Sequence, residues 1–196
     1  MPRGRPRQFD RDRALSQAMK VFWEHGYQDA SITDLTDAMG IAPPSLYAAF
    51  GSKAELFCAA ADLYERHTAA EASEALDKPG PVRLAVEGML RANVRLYTSP
   101  TGPRGCLLTL GTATCPADEP TARQHLSRST RNRLRSLELR FEQAVADGED
   151  LPSPPRNLAR YVDAVVQGLA VRAHEGASRA ELNRTVDLAL TVLGPA

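Results

Sequence analysis

The chain is short of the features that mark several large classes of protein. Its 196 residues include three cysteines, Cys58, Cys106 and Cys115, with no CxxC pair and no flanking histidine at zinc-like spacing. Neither a disulfide framework nor a structural zinc site is indicated, and no metal or cofactor is expected. The four histidines form no HxxxH or HExxH pair, and none stands at a telling spacing from Cys106. A helical enzyme with a cysteine nucleophile therefore finds no support. Long apolar runs are missing too: stretches such as residues 58–61 and 106–110 fall far short of the roughly 18 to 20 residues that span a bilayer. Residues 1–10 are arginine-rich but lead into no apolar segment, so a cytoplasmic location is expected and a secretory signal is not. No run alternates with period two beside β-branched residues, so no strand is expected, and no internal repeat or low-complexity tract occurs.

Net charge is also absent, with 24 basic against 24 acidic side chains. Duplex binding is dominated by phosphate neutralisation, so neutrality at first argues against a nucleic-acid partner. The distribution reverses this. Residues 1–8 carry Arg3, Arg5 and Arg7 and no acid, residues 9–53 carry four basic and six acidic groups, and residues 54–196 carry 17 against 18. The positive charge sits at one tip of a chain whose 43% hydrophobic content is enough for a real core. The length fits one large domain or a small module fused to a larger one.

Helical periodicity runs through almost the whole chain and predicts an all-α fold of about nine helices. The first covers about residues 11–25, with Leu15, Ala18, Met19 and Phe22 on one face, Asp10 as N-cap and Gly26 just past its end. Ser31-Ile32-Thr33-Asp34 has the form of a capping box and opens a short second helix that ends at Gly40. A third begins near Pro43 or Pro44, since proline in a first turn removes only amides that have no intrahelical partner. A fourth starts at Ser52, with Glu55 at the capping-box position, and continues to about Leu76. Lys78-Pro79-Gly80-Pro81 breaks the chain before a fifth over about residues 82–97. Further helices are expected over about residues 104–114, 119–146, 156–174 and 179–193. In the longest, Leu126, Leu134, Leu137, Phe141 and Val145 form the inward stripe, while Arg123, Arg128, Arg131, Arg133, Arg135 and Arg140 read as a solvated face.

Residues 31–53 thus give two short helices joined by a tight turn at Gly40-Ile41-Ala42, the layout of a helix-turn-helix. Ahead of them Arg3, Arg5 and Arg7 are interleaved with Pro2, Gly4 and Pro6, so this arm stays extended and suits insertion into a narrow minor groove. The segment from Phe9 to Phe57 resembles the DNA-binding domain of the tetracycline-repressor (TetR) family of bacterial transcription factors. The resemblance is carried by Phe22 with His25-Gly26-Tyr27, by Ser31-Ile32-Thr33-Asp34-Leu35, by Met39-Gly40-Ile41, and by Ser45-Leu46-Tyr47 with Phe50, Lys53 and Leu56. It covers about the first third of the chain, and the remainder agrees in helix number and length.

The resemblance implies a basic arm (residues 1–8), a helix-turn-helix DNA-binding domain (9–56) and an effector-binding and dimerisation domain (57–196). The helix starting near Pro44 becomes the recognition helix. Tyr47 and Lys53 would hold phosphates of a double-stranded operator, Lys53 beside the amides at the start of the fourth helix, and Ser31 would cap and touch phosphate. Thr33, Pro43, Pro44, Ser45, Ala48 and Ala49 would face base edges, and Phe22, Leu35, Met39, Leu46 and Phe50 would form the core. The recognition helix has no Arg, Lys, Asn or Gln for bidentate base contacts. Ala48, Ala49 and Pro43 would then read thymine methyls, with single hydrogen bonds from Ser45 and Thr33.

For the body, the resemblance implies a homodimer built on the last two helices, and a repressor released from a pseudo-palindromic operator by a small effector. Val162, Val166, Leu169, Leu182, Val186 and Leu190 are the expected dimer contacts, with half-sites about 34 Å or a multiple apart. Leu90, Val94, Tyr97, Cys106, Leu107, Leu110, Tyr161, Val165 and His174 are the expected pocket, suited to a largely apolar effector. Cys106, expected at a helix N-terminus beside Arg104, offers an alternative as a redox or electrophile sensor, because both features favour the thiolate. Cys115 lies too far along the same helix for a direct disulfide. Two other possibilities are an architectural DNA-binding protein, which leaves the long C-terminal part without a role, and a helical ligand-binding protein that does not bind DNA.

Overall fold

The computed structural model describes residues 10–194, which form ten α-helices and a π-helical turn, with no strand among the described residues. First come α1 (Arg11–Asp29), α2 (Ile32–Met39) and α3 (Pro43–Phe50), then α4 (Lys53–Leu63), the π-turn Tyr64–Thr68 and α5 (Ala70–Leu76). The rest is α6 (Val82–Tyr97), α7 (Leu107–Thr114), α8 (Pro120–Ala146), α9 (Pro155–His174) and α10 (Arg179–Thr191).

The helix starts follow their capping residues. Asp10 accepts from the Arg13 amide at 3.1 Å. Ser31 with Asp34, Ser52 with Glu55, and Ser178 with Glu181 each form a reciprocal box that satisfies amides a helix start leaves orphaned. Two expected boundaries are corrected. Gly26 kinks α1 at φ 76° and ψ −178° instead of ending it, and the helix resumes to Asp29. Only glycine fits, because φ is positive and an added Cβ would stand 2.6 Å from Thr114 Oγ1. The helix expected to run unbroken to Leu76 is interrupted by the π-turn, where the Ala69 amide reaches back to the Tyr64 carbonyl at 2.9 Å. That interruption accounts for the extra helix.

One continuous core runs from Ala14 in α1 to Leu193 beyond α10. At its N-terminal end Phe57 meets both Phe22 and Tyr27 edge to face, each with ring centroids 5.2 Å apart. α1 packs on α2, α4 and α7; α6 packs on α5, α9 and α10; and α8 lies along α9. On α8, Leu126, Leu137 and Phe141 are buried, but Leu134 is only half-buried and Val145 is 50% exposed, because Ala144 takes the inward position in the last turn. Nor is the arginine row simply solvated: Arg133 pairs with Asp163 and Arg123 reaches the Cys115 carbonyl.

The expected dimer contacts are corrected most sharply. Val162, Val166, Leu169, Leu182, Val186 and Leu190 are each 2% exposed or less within a single chain. These side chains already pack α9 and α10 into the chain's own core, so they have no surface left for a partner. The outward face of the two helices presents Val171, Leu188 and Val192 instead, and Leu188 is 71% exposed.

Candidate nucleic-acid interface and ligand cavity

The helix-turn-helix is built from local rules. Gly40 takes the left-handed conformation, φ 67°, and its amide and that of Ile41 return to the carbonyls of Asp37 and Thr36 at 3.2 and 3.1 Å. α3 starts on Pro43 and Pro44, whose missing amides need no cap, which suits an N-cap, Ala42, with no polar side chain. Leu46 and Phe50 are buried beneath α3, and the Arg11 guanidinium lies 4.6 Å over the Phe50 ring. The opposite face projects Pro43, Pro44, Ser45, Tyr47 and Ala48 into solvent, and Thr33 is exposed on α2. Ala49 departs from expectation: it is half-buried and packs against the core.

The expected phosphate contacts divide. Tyr47 is free and 48% exposed. Ser31 is exposed, but its hydroxyl accepts from the Asp34 amide at 3.1 Å, and its hydroxyl and its own amide donate to Asp34 Oδ2 at 2.6 and 3.0 Å, the two bonds that hold the Asp34 carboxyl below its ordinary pKa. Lys53 is half-buried, with Nζ donating to the Gln28 carbonyl at 3.2 Å and lying 4.8 Å over the Tyr27 ring; burial lowers its pKa. The start of α4 is also occupied, since Glu55 accepts from the Ser52 amide at 2.8 Å and Ser52 Oγ accepts from the Glu55 amide at 3.1 Å. The chain's own carboxylate thus takes up one of the amides at this helix start. Arg3, Arg5 and Arg7 lie outside the described residues.

Two hydrogen bonds tie α1 to the segment around α7. Trp23 Nε1 donates to the Gly105 carbonyl at 3.1 Å, and the Tyr27 amide donates to Thr114 Oγ1 at 3.0 Å. The bonded residues thus bracket α7, Gly105 lying just before it and Thr114 being its last residue. Trp23 also meets Tyr64 edge to face, with centroids 4.9 Å apart.

Tyr64 opens onto a cavity of about 270 Å³ between the π-turn, α5, α6, α7 and α8. Its apolar lining comes from Ala72, Leu76, Met89, Leu108 and Val166, and its buried or half-buried polar lining from Tyr64, Glu65, Asn93, Tyr97, Cys106, Ser129 and Arg133. Arg133 Nε donates to buried Asp163 at 2.6 Å, and Gln167 holds the second Asp163 oxygen at 2.6 Å. Burial opposes the charge on Arg133, but the Asp163 pair outweighs it and the guanidinium pKa is raised. Burial also pushes the Tyr64 and Tyr97 phenols well above their ordinary pKa, so both remain neutral donors.

Of the expected pocket residues, Tyr97 and Cys106 line this cavity. Leu90, Val94, Leu107 and Leu110 are buried core; α6 turns Met89, Asn93 and Tyr97 to the cavity in place of Leu90 and Val94, at four-residue spacing, and α7 contributes Leu108. Tyr161 and Val165 are half-buried elsewhere, with Tyr161 Oη donating to the Ala189 carbonyl at 3.3 Å, and His174 is exposed at the end of α9. The missed groups were visible as irregularities. Asn93 interrupts the apolar face of α6, and Ser129 and Arg133 lie within the stripe from Leu126 to Leu137 that was read as core.

Cys106 is the buried N-cap of α7 with a free thiol. The expected help from Arg104 is not there. Its Nε donates to the Ala173 carbonyl at 2.8 Å and its Nη2 to the Ala177 carbonyl, so the guanidinium caps the end of α9. Cys115 is the C-cap at the far end of α7, nine residues from Cys106 and about 13 Å along the axis at ~1.5 Å per residue, beyond disulfide reach.

A short helix seated on buried side chains, with its opposite face open and a larger helical body tied behind it, is the architecture of a helix-turn-helix DNA-binding regulator. Residues 14–60 match the family model described as bacterial regulatory proteins, tetR family. The chain is 35% identical over 193 residues to the HTH-type transcriptional repressor ComR of Escherichia coli (strain K12), spanning 97% of this chain and 90% of ComR. It is 31% identical over 186 residues to the repressor BdcR of the same organism, spanning 95% of this chain and 90% of BdcR. Among solved structures, the TetR family regulator CifR, a cysteine mutant complexed with 26-bp double-strand operator DNA, matches with a TM-score of 0.90 at 40% identity, covering 97% of this chain and 100% of that one. The chain belongs to the TetR family of bacterial transcriptional regulators. No helix among the described residues is long and apolar enough to cross a membrane.

Proposed function

We propose that the chain is a homodimeric repressor that binds a pseudo-palindromic operator and is released by a small effector held in the cavity. Residues 9–56 form the DNA-binding head, and residues 57–196 the effector-binding and dimerising body. The observation that carries this is the free outer face of α3, with Pro43, Pro44, Ser45, Tyr47 and Ala48 exposed above buried Leu46 and Phe50. Tyr47 donates to a phosphate, Pro43 and Ala48 contact thymine methyls, and Ser45 and Thr33 supply single hydrogen bonds. Arg3, Arg5 and Arg7 add minor-groove charge at A·T steps. An effector acts by preferring a conformer in which the two recognition helices are wrongly spaced. The bonds from Trp23 to Gly105 and from Tyr27 to Thr114 give α7 a direct hold on the head.

Selection from randomised duplexes by the purified chain tests this. The expected product has two half-sites, each rich in thymines, and a half-site dominated by invariant guanines under α3 would falsify the base-reading scheme. Removal of residues 1–8 is expected to weaken binding and to lower the salt dependence, by about 2.7 in log–log slope per subunit for three lost phosphate contacts.

A second reading rests on the Cys106 thiol, which lines the cavity. An oxidant or electrophile that modifies it would fill the cavity from within. Operator release by oxidant should then disappear in Cys106→Ser, and release that survives the substitution removes this reading.

A further inference from the structure

Several polar groups of the cavity lining keep hydrogen-bonding capacity that the chain itself leaves unused. Tyr64 is 1% exposed and its hydroxyl makes no hydrogen bond of good geometry among the described residues, with the Cys106 thiol, the Leu107 amide and the Tyr97 phenol as polar neighbours. Arg133 uses Nε for Asp163, and its two Nη groups have no partner among the described residues. Asn93 and Ser129 are 6% and 5% exposed, and no hydrogen bond among the described residues engages either side chain. A buried hydroxyl without a partner is costly, so the lining is organised for something that enters. Most of these groups are donors: two phenols, two guanidinium nitrogens, a serine hydroxyl and a carboxamide.

Charge then chooses between the two acceptors that fit such donors, a carboxylate and a neutral carbonyl. Arg133 is already matched by Asp163, and Glu65 lines the cavity as a further carboxylate. The three groups sum to a negative charge before any ligand arrives. A ligand carboxylate would add a second anion to one guanidinium in a half-closed space, whereas a neutral carbonyl takes the same donors and leaves the Arg133 to Asp163 pair intact. The volume of about 270 Å³ corresponds to roughly nine waters at ~30 Å³ each, room for a molecule of about ten non-hydrogen atoms.

We propose that the cavity binds a small uncharged molecule with a carbonyl-type acceptor at one end, held by Tyr64 Oη and the free Arg133 nitrogens, and an apolar body against Leu76, Met89, Leu108 and Val166. This rests on the ligand-responsive reading above and names the chemistry of its effector.

The only tryptophan of the chain, Trp23, stands against Tyr64 and reports occupancy by fluorescence. Titrations of the full chain with acetophenone, benzoate and ethylbenzene compare a neutral acceptor, an anion and a bare hydrocarbon of similar size. Acetophenone is expected to bind tightest. Tyr64→Phe removes an unbonded hydroxyl, so its thermal stability should match or exceed that of the parent, while its acetophenone affinity falls about three- to ten-fold and its ethylbenzene affinity is unchanged. Tighter benzoate binding, equal ethylbenzene binding, no response to any of the three, or no effect of Tyr64→Phe each overturns the proposal. Retention of the selected operator, measured in the same samples without probe, separates the two inferences. A chain that binds DNA but none of the probes loses the proposed ligand chemistry alone, and one that binds acetophenone but no operator loses the regulator reading alone.

Discussion

A chain carrying Leu188→Asp is expected to stay folded, to sediment as a monomer and to bind the selected operator about 10²-fold or more weakly. Leu188 is 71% exposed, and Val192, the C-cap of α10, and Val171 on α9 are exposed as well. Gly168 lies in the middle of α9, where an added Cβ would meet nothing. A glycine there weakens an isolated helix by about 1 kcal/mol relative to alanine. Close approach by a second copy is the arrangement that makes use of the missing side chain. An aspartate at position 188 touches no part of the chain's own core, so it acts on association alone, and each half-site must then be bound without the help of the other. Val166→Asp is the contrast. That side chain is 2% exposed, and a charge there should unfold the chain. Sedimentation, circular dichroism and operator anisotropy on both variants distinguish the faces. If Leu188→Asp remains a dimer with full operator affinity, the outward face is not the dimer surface.

Asp163→Ala is expected to lower stability by about 2–3 kcal/mol, somewhat less than for a fully buried pair because about a quarter of the Arg133 side chain remains in contact with solvent. For a chain of this length that corresponds to a fall of about 5–10 °C in Tm. The substitution strands the Arg133 guanidinium and also takes the acceptor from Gln167. It should change ligand preference in the same step. With its carboxylate partner gone, Arg133 carries an unmatched positive charge into the cavity, and benzoate should overtake acetophenone in the Trp23 titration. The pair Asp163→Leu with Arg133→Met should recover most of the lost stability, since an apolar pair of similar volume leaves no charge unpaired. A variant as stable as the parent, with unchanged ligand order, would show that the ion pair neither supports the fold nor sets the charge of the cavity.

The helices and their starts were legible because their causes are local. Asp10, Ser31, Ser52 and Ser178 cap amides only three residues away, and Gly40 closes α2 through its own backbone angles. The head followed for the same reason: Leu46 and Phe50 recur at four-residue spacing, so the face bearing Tyr47 and Ala48 had to point outward. The interruption at Tyr64–Thr68 carried no proline or glycine to announce it. On the long helices, periodicity identified apolar faces but not what each would meet. Two faces of α9 and α10 compete for burial, and the one bearing Val166 and Val186 packs within the chain while Leu188 is left outside.

By itself, then, the sequence determined an all-helical chain, a helix-turn-helix with a recognition helix poor in base-reading side chains, and a net positive charge found only in the first residues. Neutral overall charge did not exclude DNA, because charge placement and not its sum governs contact with a backbone of phosphates. Only the tertiary structure decided that Lys53 turns onto Tyr27, that Arg104 caps α9 and leaves Cys106 alone, and that Arg133 leaves its row to meet Asp163. Each of these is a long side chain choosing among partners distant in sequence, and such a choice is set by what the fold brings within about 3 Å for a hydrogen bond or about 5 Å for a ring contact, which local spacing does not encode.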